Sequence, residues 1–213
     1  MVARTLRSLP PLPLETAVRA GGVVVHQGEA SPPMRVVERG AFMVEVLRHD
    51  GRRLVLDVLG PGDGVGGAGA GRADQGAEPG SVSQATVRAL KPGLLRDATP
   101  DEEAGLLARR AERASRLAAD LAWFDVSTRL LARLHVLAER FGRPVPGGLA
   151  IGLRLTHDDL ADLCGTSRET VTRAMGQLSR QGRVDVPKRG RIVVRHRLSD
   201  PPSCNRIRLH EPQ

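Results

Sequence analysis

"LTHDDLADLCGTSRETVTRAMGQLSRQG", residues 155–182, holds two short amphipathic segments joined at a glycine. Thr156 is placed to cap a first helix, with Asp158 and Asp159 in a first turn where the helix dipole favours acids. Leu160, Leu163 and Cys164 form its buried side, and Ala161 is small enough for a second helix to cross. Gly165 permits a tight turn, and a second helix over 168–180 buries Val171, Ala174, Met175 and Leu178. Two helices joined by a short glycine turn make a helix-turn-helix. Any small bundle would need those apolar positions, but it would not need the outward face of the second helix. Arg168, Glu169 and Arg173 stand there, at the end where a recognition helix meets base edges. Arginine donates twice to guanine O6 and N7, and glutamate accepts from cytosine N4. Ser167 and Thr170 are the right length for flanking phosphates, as are Thr156 and His157 at the start of the first helix. Thr166 and Glu169 also match a capping box that would turn Glu169 back on the backbone; a Ser167 cap would free it.

Downstream, "GRVDVPKRGRIVVRHR" predicts two short strands around Pro187–Gly190, a basic wing on which Lys188 or Arg189 would meet a phosphate. The charge distribution agrees. The net charge is +8, and from Arg143 onward there are 13 Arg and Lys against 7 Asp and Glu. A basic end of this kind is a footprint for phosphate, here double-stranded DNA. With one Trp, three Phe and no Tyr, the chain lacks the stacking platforms that single-stranded nucleic acid needs.

Upstream, "DVSTRLLARLHVLAERFG" is a helix from about Val126, with Val126, Leu130, Leu134, Leu137 and Phe141 as its apolar stripe and Gly142 as its stop. "RPVPGG" follows and reads as a linker-like turn. Before it, Thr99-Pro100-Asp101-Glu102 supplies an N-cap, a proline at the first position and an acidic first turn. The helix so opened runs to about Phe124, roughly 37 Å at 1.5 Å per residue. Along it Leu107, Ala111, Ala114, Ala118 and Leu121 recur at spacings of 4, 3, 4 and 3. That is a heptad seam, and its alanines let a second copy of the helix approach closely. Packing on the chain's own β-domain is the simpler alternative; the length of the helix favours a homodimer.

From Gly22 to Ala89 the pattern is short strands and turns, with a hairpin at His49-Asp50-Gly51. Residues 64–82 lose all periodicity and read as a loop. Gly64-Val65-Gly66-Gly67-Ala68-Gly69 does satisfy G-x-G-x-x-G, yet a dinucleotide fingerprint must open a helix inside a βαβ unit, and none follows. The six histidines are scattered, with no HExxH and no nucleophile elbow, so neither an enzyme nor a metal site is expected. Cys164 and Cys204 make no disulfide framework and no CxxC pair. No window suggests a signal peptide or a membrane span, so the expected setting is the cytoplasm.

The expectation is an α+β protein with three parts. Residues 1–98 form an antiparallel, jelly-roll-like β-roll, 99–141 a dimerisation helix and a hinge helix, and 142–213 a winged helix-turn-helix with a tail. In this order, and in "TSRETVTRAMGQL", "FDVSTRLLARLHVLAERFG" and "HDGRRLVLDVLGPGD", the chain resembles the Crp/Fnr family of bacterial transcription regulators. The resemblance covers about Val23 to Leu198. It implies that Arg168, Glu169 and Arg173 read a TGTGA-type half-site, and that Asp125 lies at the hinge to the DNA-binding domain.

It also implies a test of the glycine loop. In family members that bind cyclic AMP, the turn after "GPGD" continues as F-x-G-E, whose glutamate takes the ribose hydroxyl. An Arg-Ser or Arg-Thr pair completes the phosphate clamp, and a Thr-Ser pair on the dimer helix meets the base. Here those positions resemble Gly67, then Ser83 and Gln84, then Ala114 and Ser115. A bound phosphate would lose its countercharge and charge-assisted hydrogen bonds worth about 1.5–3 kcal/mol each. The expectation is a degenerate effector site, no cofactor, and a homodimeric regulator indifferent to cyclic AMP. The alternatives are a sensor for another small molecule or cyclic nucleotide, and a β-roll that recruits a protein such as RNA polymerase.

Overall fold

The computed structural model describes residues 15–67, 82–186 and 191–195. Strands β1 (Glu15–Val18), β2 (Val23–Val25), β3 (Arg35–Leu47), β4 (Arg53–Leu59), β5 (Gly64–Val65) and β6 (Thr86–Asp97) form one antiparallel sheet in the order β1-β6-β3-β4. The two long strands, β3 and β6, bend together so that this one sheet rolls over on itself. The bend is set by Gly40 and Gly93. Gly40 has φ +102°, and a side chain there would stand 2.6 Å from the Gly93 Cα. Gly93 in turn leaves room for the Phe42 ring, and the β3–β6 register slips on either side of this crossing. Alternate residues then face inward, and Val37, Phe42, Leu59, Val65, Val87, Ala89 and Leu95 fill the roll.

Helix α1 (Pro100–Trp123) crosses the outside of the roll. Its Thr99 N-cap is completed by Glu102, whose carboxylate accepts the Thr99 amide at 2.9 Å and pairs with Arg96 at 2.6 Å. Those contacts, the Arg96 bond foremost, pull the Glu102 pKa down to about 2. Helix α2 (Val126–Phe141) begins at Asp125, whose side chain accepts the Thr128 amide at 2.7 Å.

The segment read as a linker is a hairpin. Strands β7 (Gly142–Val145) and β8 (Gly148–Ile151) turn at Gly147, where φ is +78°. Pro144 is tolerated because β7 is the edge of the second sheet, ordered β7-β8-β10-β9. Helices α3 (His157–Cys164) and α4 (Arg168–Arg180) follow, then β9 (Val184–Asp185) and β10 (Val193–Arg195), which pair antiparallel. The wing tip, with Lys188 and Arg189, lies outside the described residues.

One hydrophobic core joins the two sheets. Met43, Val55 and Val58 from the roll share it with Leu130 and Leu134 of α2, Leu160 and Leu163 of α3, and Val171 and Met175 of α4. Among the described residues no helix is long and apolar enough to cross a membrane.

Candidate DNA interface and effector cassette

The helix-turn-helix is closed by local chemistry. Thr156 caps α3 through a full capping box: its hydroxyl takes the Asp159 amide, and the Asp159 carboxylate takes the Thr156 amide. That hydroxyl also donates to the same carboxylate at 2.7 Å, which commits it to the cap. Gly165 ends α3 in the left-handed region at φ +60°, a conformation that carries a penalty of about 1 kcal/mol or more for other residues. Ser167, rather than Thr166, caps α4 by accepting the Thr170 amide at 3.3 Å.

Val171, Ala174, Met175 and Leu178 are buried, so the opposite side of α4 faces out. Arg168, Glu169, Thr172 and Arg173 stand exposed on it, and the Arg168 side chain keeps 64% of its surface open. Neighbouring groups hold these side chains. Arg168 lies 3.4 Å from Asp158, an exposed pair worth little energetically. Arg173 donates to the Thr170 hydroxyl at 3.3 Å, which itself meets Ser167 at 3.1 Å. The Glu169 carboxyl is held below its usual pKa by its own amide and the Ser167 hydroxyl. His157 Nδ1 sits 2.9 Å from the Thr172 hydroxyl, so it braces α3 against α4. Cys164 is buried, and burial pushes its thiol up to about 11, away from the reactive thiolate.

The cassette positions are spent on the protein itself. Gly67 has φ +70°, and a side chain there would begin inside the van der Waals envelope of the Met34 methyl group. Its amide donates to the Pro32 carbonyl at 3.0 Å. The Ser83 hydroxyl donates to the Ala85 carbonyl at 2.7 Å, and the Gln84 amide to the Val82 carbonyl at 3.3 Å. On α1, Ala114 and Ser115 are exposed, and the Ser115 hydroxyl bonds back to the Ala111 carbonyl.

Sequence reasoning missed the groups that fill this region. Leu106, Arg110, Arg113 and Leu117 form a second α1 stripe, at spacings of 4, 3 and 4, turned to the chain's own roll. Arg110 caps the Gly64 and Gly66 carbonyls at 3.2 and 2.8 Å, and burial together with neighbouring Arg113 lowers its pKa. Arg113 bridges Asp57 at 2.6 Å and Asp63 at 2.9 Å. Arg140 of α2 completes the network by pairing with Asp63 and donating to the Val58 carbonyl. The signal was present: two cations fall in register with two leucines.

The seam residues Leu107, Ala111, Ala114 and Ala118 are exposed, and Leu121 is half-buried. Thus α1 covers the roll with one face and leaves the alanine face free. The sequence posed these as alternatives; the helix has room for both.

The Crp-like helix-turn-helix domain family matches residues 128–199. A CRP-like cAMP-activated global transcriptional regulator from Mycobacterium tuberculosis is 31% identical over 173 residues, 76% of this chain and 75% of that protein. A solved Crp/Fnr-family transcriptional regulator from Thermus thermophilus superposes with a TM-score of 0.71 at 24% identity, over 86% of this chain and 94% of its own. The c-di-GMP responsive global regulator of Xanthomonas campestris superposes at 0.68 and 22% identity, with the same coverages of 86% and 94%. At those identities the two structures speak for the fold, a β-roll followed by a helix-turn-helix. With an exposed recognition helix, that fold, and a relative matched over three quarters of its length, the chain belongs to the Crp/Fnr family of transcription regulators.

Proposed function

We propose that the protein acts as a homodimer on a palindromic TGTGA-like site and needs no cyclic AMP to do so. The observation that carries the DNA reading is the open N-terminal end of α4, with Arg168, Glu169 and Arg173 exposed around it. A pair of such helices, brought together along the alanine face of α1, would enter successive major grooves one turn apart. Thr170 and Ser167 lie beside them for phosphates, and His157 follows from α3. Thr156 has both its amide and its hydroxyl in the cap, so a phosphate there would have to displace the Asp159 carboxylate.

Independence from cyclic AMP is supported by the cassette. Met34 occupies the space a glutamate at position 67 would need, and Ser83 and Gln84 carry no positive charge. Arg110 and Arg113 of α1 are engaged by carbonyls and carboxylates of the protein.

The test is a substitution that separates reading from positioning. Arg173→Ala is expected to cost about 1–3 kcal/mol on the cognate duplex and to relax preference at one base pair, while Lys188→Ala weakens all sequences alike. Equal losses on cognate and scrambled duplexes for Arg173→Ala would remove the base-reading role.

One observation favours a second reading, in which the β-roll senses another small molecule. An open cavity of about 670 Å³ lies at one end of the roll, between Thr16, Val18, Val24, Arg35 and Gly93. Its size suits a small ligand, and an anionic one would have to compete with Asp97, which pairs with Arg35 at 3.6 Å. Calorimetric titration with small carboxylates and cyclic dinucleotides, compared between wild type and Arg35→Gln, would bring such an effector to light.

A further inference from the structure

We propose that Arg53, a β-roll residue outside the DNA-binding surface, is a positioning residue for DNA recognition. It latches α3 and so fixes the bearing at which α4 is presented. The proposal rests on the reading of the protein as a dimeric DNA-binding regulator.

Arg53 lies on β4, and its guanidinium reaches out of the roll into the helix-turn-helix. Nε donates to Asp162 at 2.6 Å and Nη2 to Asp159 at 3.3 Å. Nη1 holds Glu45 on the neighbouring strand at 3.2 Å, and Arg88 meets the same Glu45 at 3.4 Å. Asp159 and Asp162 are three residues apart, on one face of α3. They are thus a fork-shaped acceptor for a fork-shaped donor, a pairing a lysine cannot reproduce. The side chains are sheltered, with exposures of 29% for Arg53, 15% for Asp159, 20% for Asp162 and 14% for Glu45. This sets the cluster apart from surface ion pairs, which screening leaves nearly worthless.

The next residue extends the contact. A side chain at Gly165 would sit 3.4 Å from the Leu54 Cδ1, so Leu54 lies against the turn between the two helices. Val55 and Val58 of β4 share their core with Leu160 and Leu163 of α3. Arg53 therefore grips the helix that carries the turn, and the turn carries the recognition helix. Because the outward face of α4 stays open, the latched state leaves the DNA surface uncovered. Arg53 itself is committed to three carboxylates and does not serve as a phosphate contact.

A palindrome must be met by two reading heads at once, so any swivel of each head on its roll weakens the full site. A single half-site reads only α4 and is blind to that swivel. The experiment compares wild type, Arg53→Gln, Arg53→Lys, Asp162→Asn and the double variant Arg53→Gln with Asp162→Asn. Each is titrated by fluorescence anisotropy against a full palindromic duplex, a single half-site duplex and a scrambled duplex. Backbone hydrogen exchange over residues 159–165 is followed in the free proteins.

Arg53→Gln is expected to lose about tenfold on the full site and less than about twofold on the half-site, with faster exchange at 159–165. Arg53→Lys should fall between, Asp162→Asn should show the same full-site loss, and the double variant should lose little more than either alone. Unchanged full-site affinity, equal losses on full and half sites, or fully additive losses in the double variant would each overturn the proposal. Unchanged exchange at 159–165 would overturn the latch by itself. If wild type did not distinguish the full palindrome from the scrambled duplex, the regulator reading would fail and the positioning role with it, whatever the exchange data showed.

Discussion

Gly67 shows how a single residue decides what a loop can do. Its φ of +70° is cheap for glycine and costs about 1–2 kcal/mol for any side chain, and Met34 closes the space besides. Restoring the family's glutamate should therefore do harm without benefit. Gly67→Glu is expected to lower stability by at least that amount in urea unfolding and to confer no cyclic AMP binding. A variant of unchanged stability that bound the nucleotide would mean that this region is still a working cassette. The absence of the glutamate was legible in the sequence, because it is a matter of identity at a position. Met34 was not, because the methionine and the glycine meet only through the fold. The same holds for Arg53, whose partners on α3 lie 106 and 109 residues away.

Among the elements, α1 carries the most information. Its start was readable from Thr99, Pro100 and Glu102, and the helix begins there. Its two working faces were only half readable. The alanine seam stands out because it is apolar, whereas the stripe that packs on the roll is interrupted by Arg110 and Arg113 and carries no apolar period. Proline and glycine misled in the same way at "RPVPGG", where an edge strand and a positive-φ turn accommodate them. Strand β6 likewise runs through Pro92, which sits next to a shift in the β3–β6 register.

Two predictions belong to α1. Ala111→Glu, on the free face, should convert a dimer to a monomer in size-exclusion light scattering and leave the circular dichroism spectrum unchanged; a persistent dimer would rule out this seam. Glu102 predicts an acid limb. Its pKa in the folded protein, about 2, lies below the ordinary 4.5, so its contribution is present above pH 4.5 and is lost as the pH falls toward 2. Glu102→Gln should therefore be less stable than wild type at neutral pH, show a flatter profile in that window, and converge on wild type at its acid end. An identical acid slope in the variant would show that the Arg96 pairing contributes nothing.

At the scale of the whole molecule, the order roll, long helix, helix-turn-helix was legible because each part has its own period and its own punctuation. What could not be read was how the parts are joined. Val55 and Val58 look like ordinary strand residues, yet they belong to the core of the DNA-binding half. Arg140, in the last turn of α2, also ties it to Asp63 in the turn between β4 and β5. These joints make roll and reading head one packed body, and we propose that this body meets its site without cyclic AMP.

Fluorescence anisotropy on a palindromic TGTGA duplex decides between binding without cyclic AMP and binding that needs it. A scrambled duplex serves as control, at one fixed ionic strength because phosphate contacts make affinity salt-dependent, with and without cyclic AMP. The expected result is binding to the palindrome in preference to the scrambled duplex, unchanged by the nucleotide. Palindrome binding that appears only with cyclic AMP would contradict it, and would return Gly67, Ser83 and Gln84 to service as a nucleotide site.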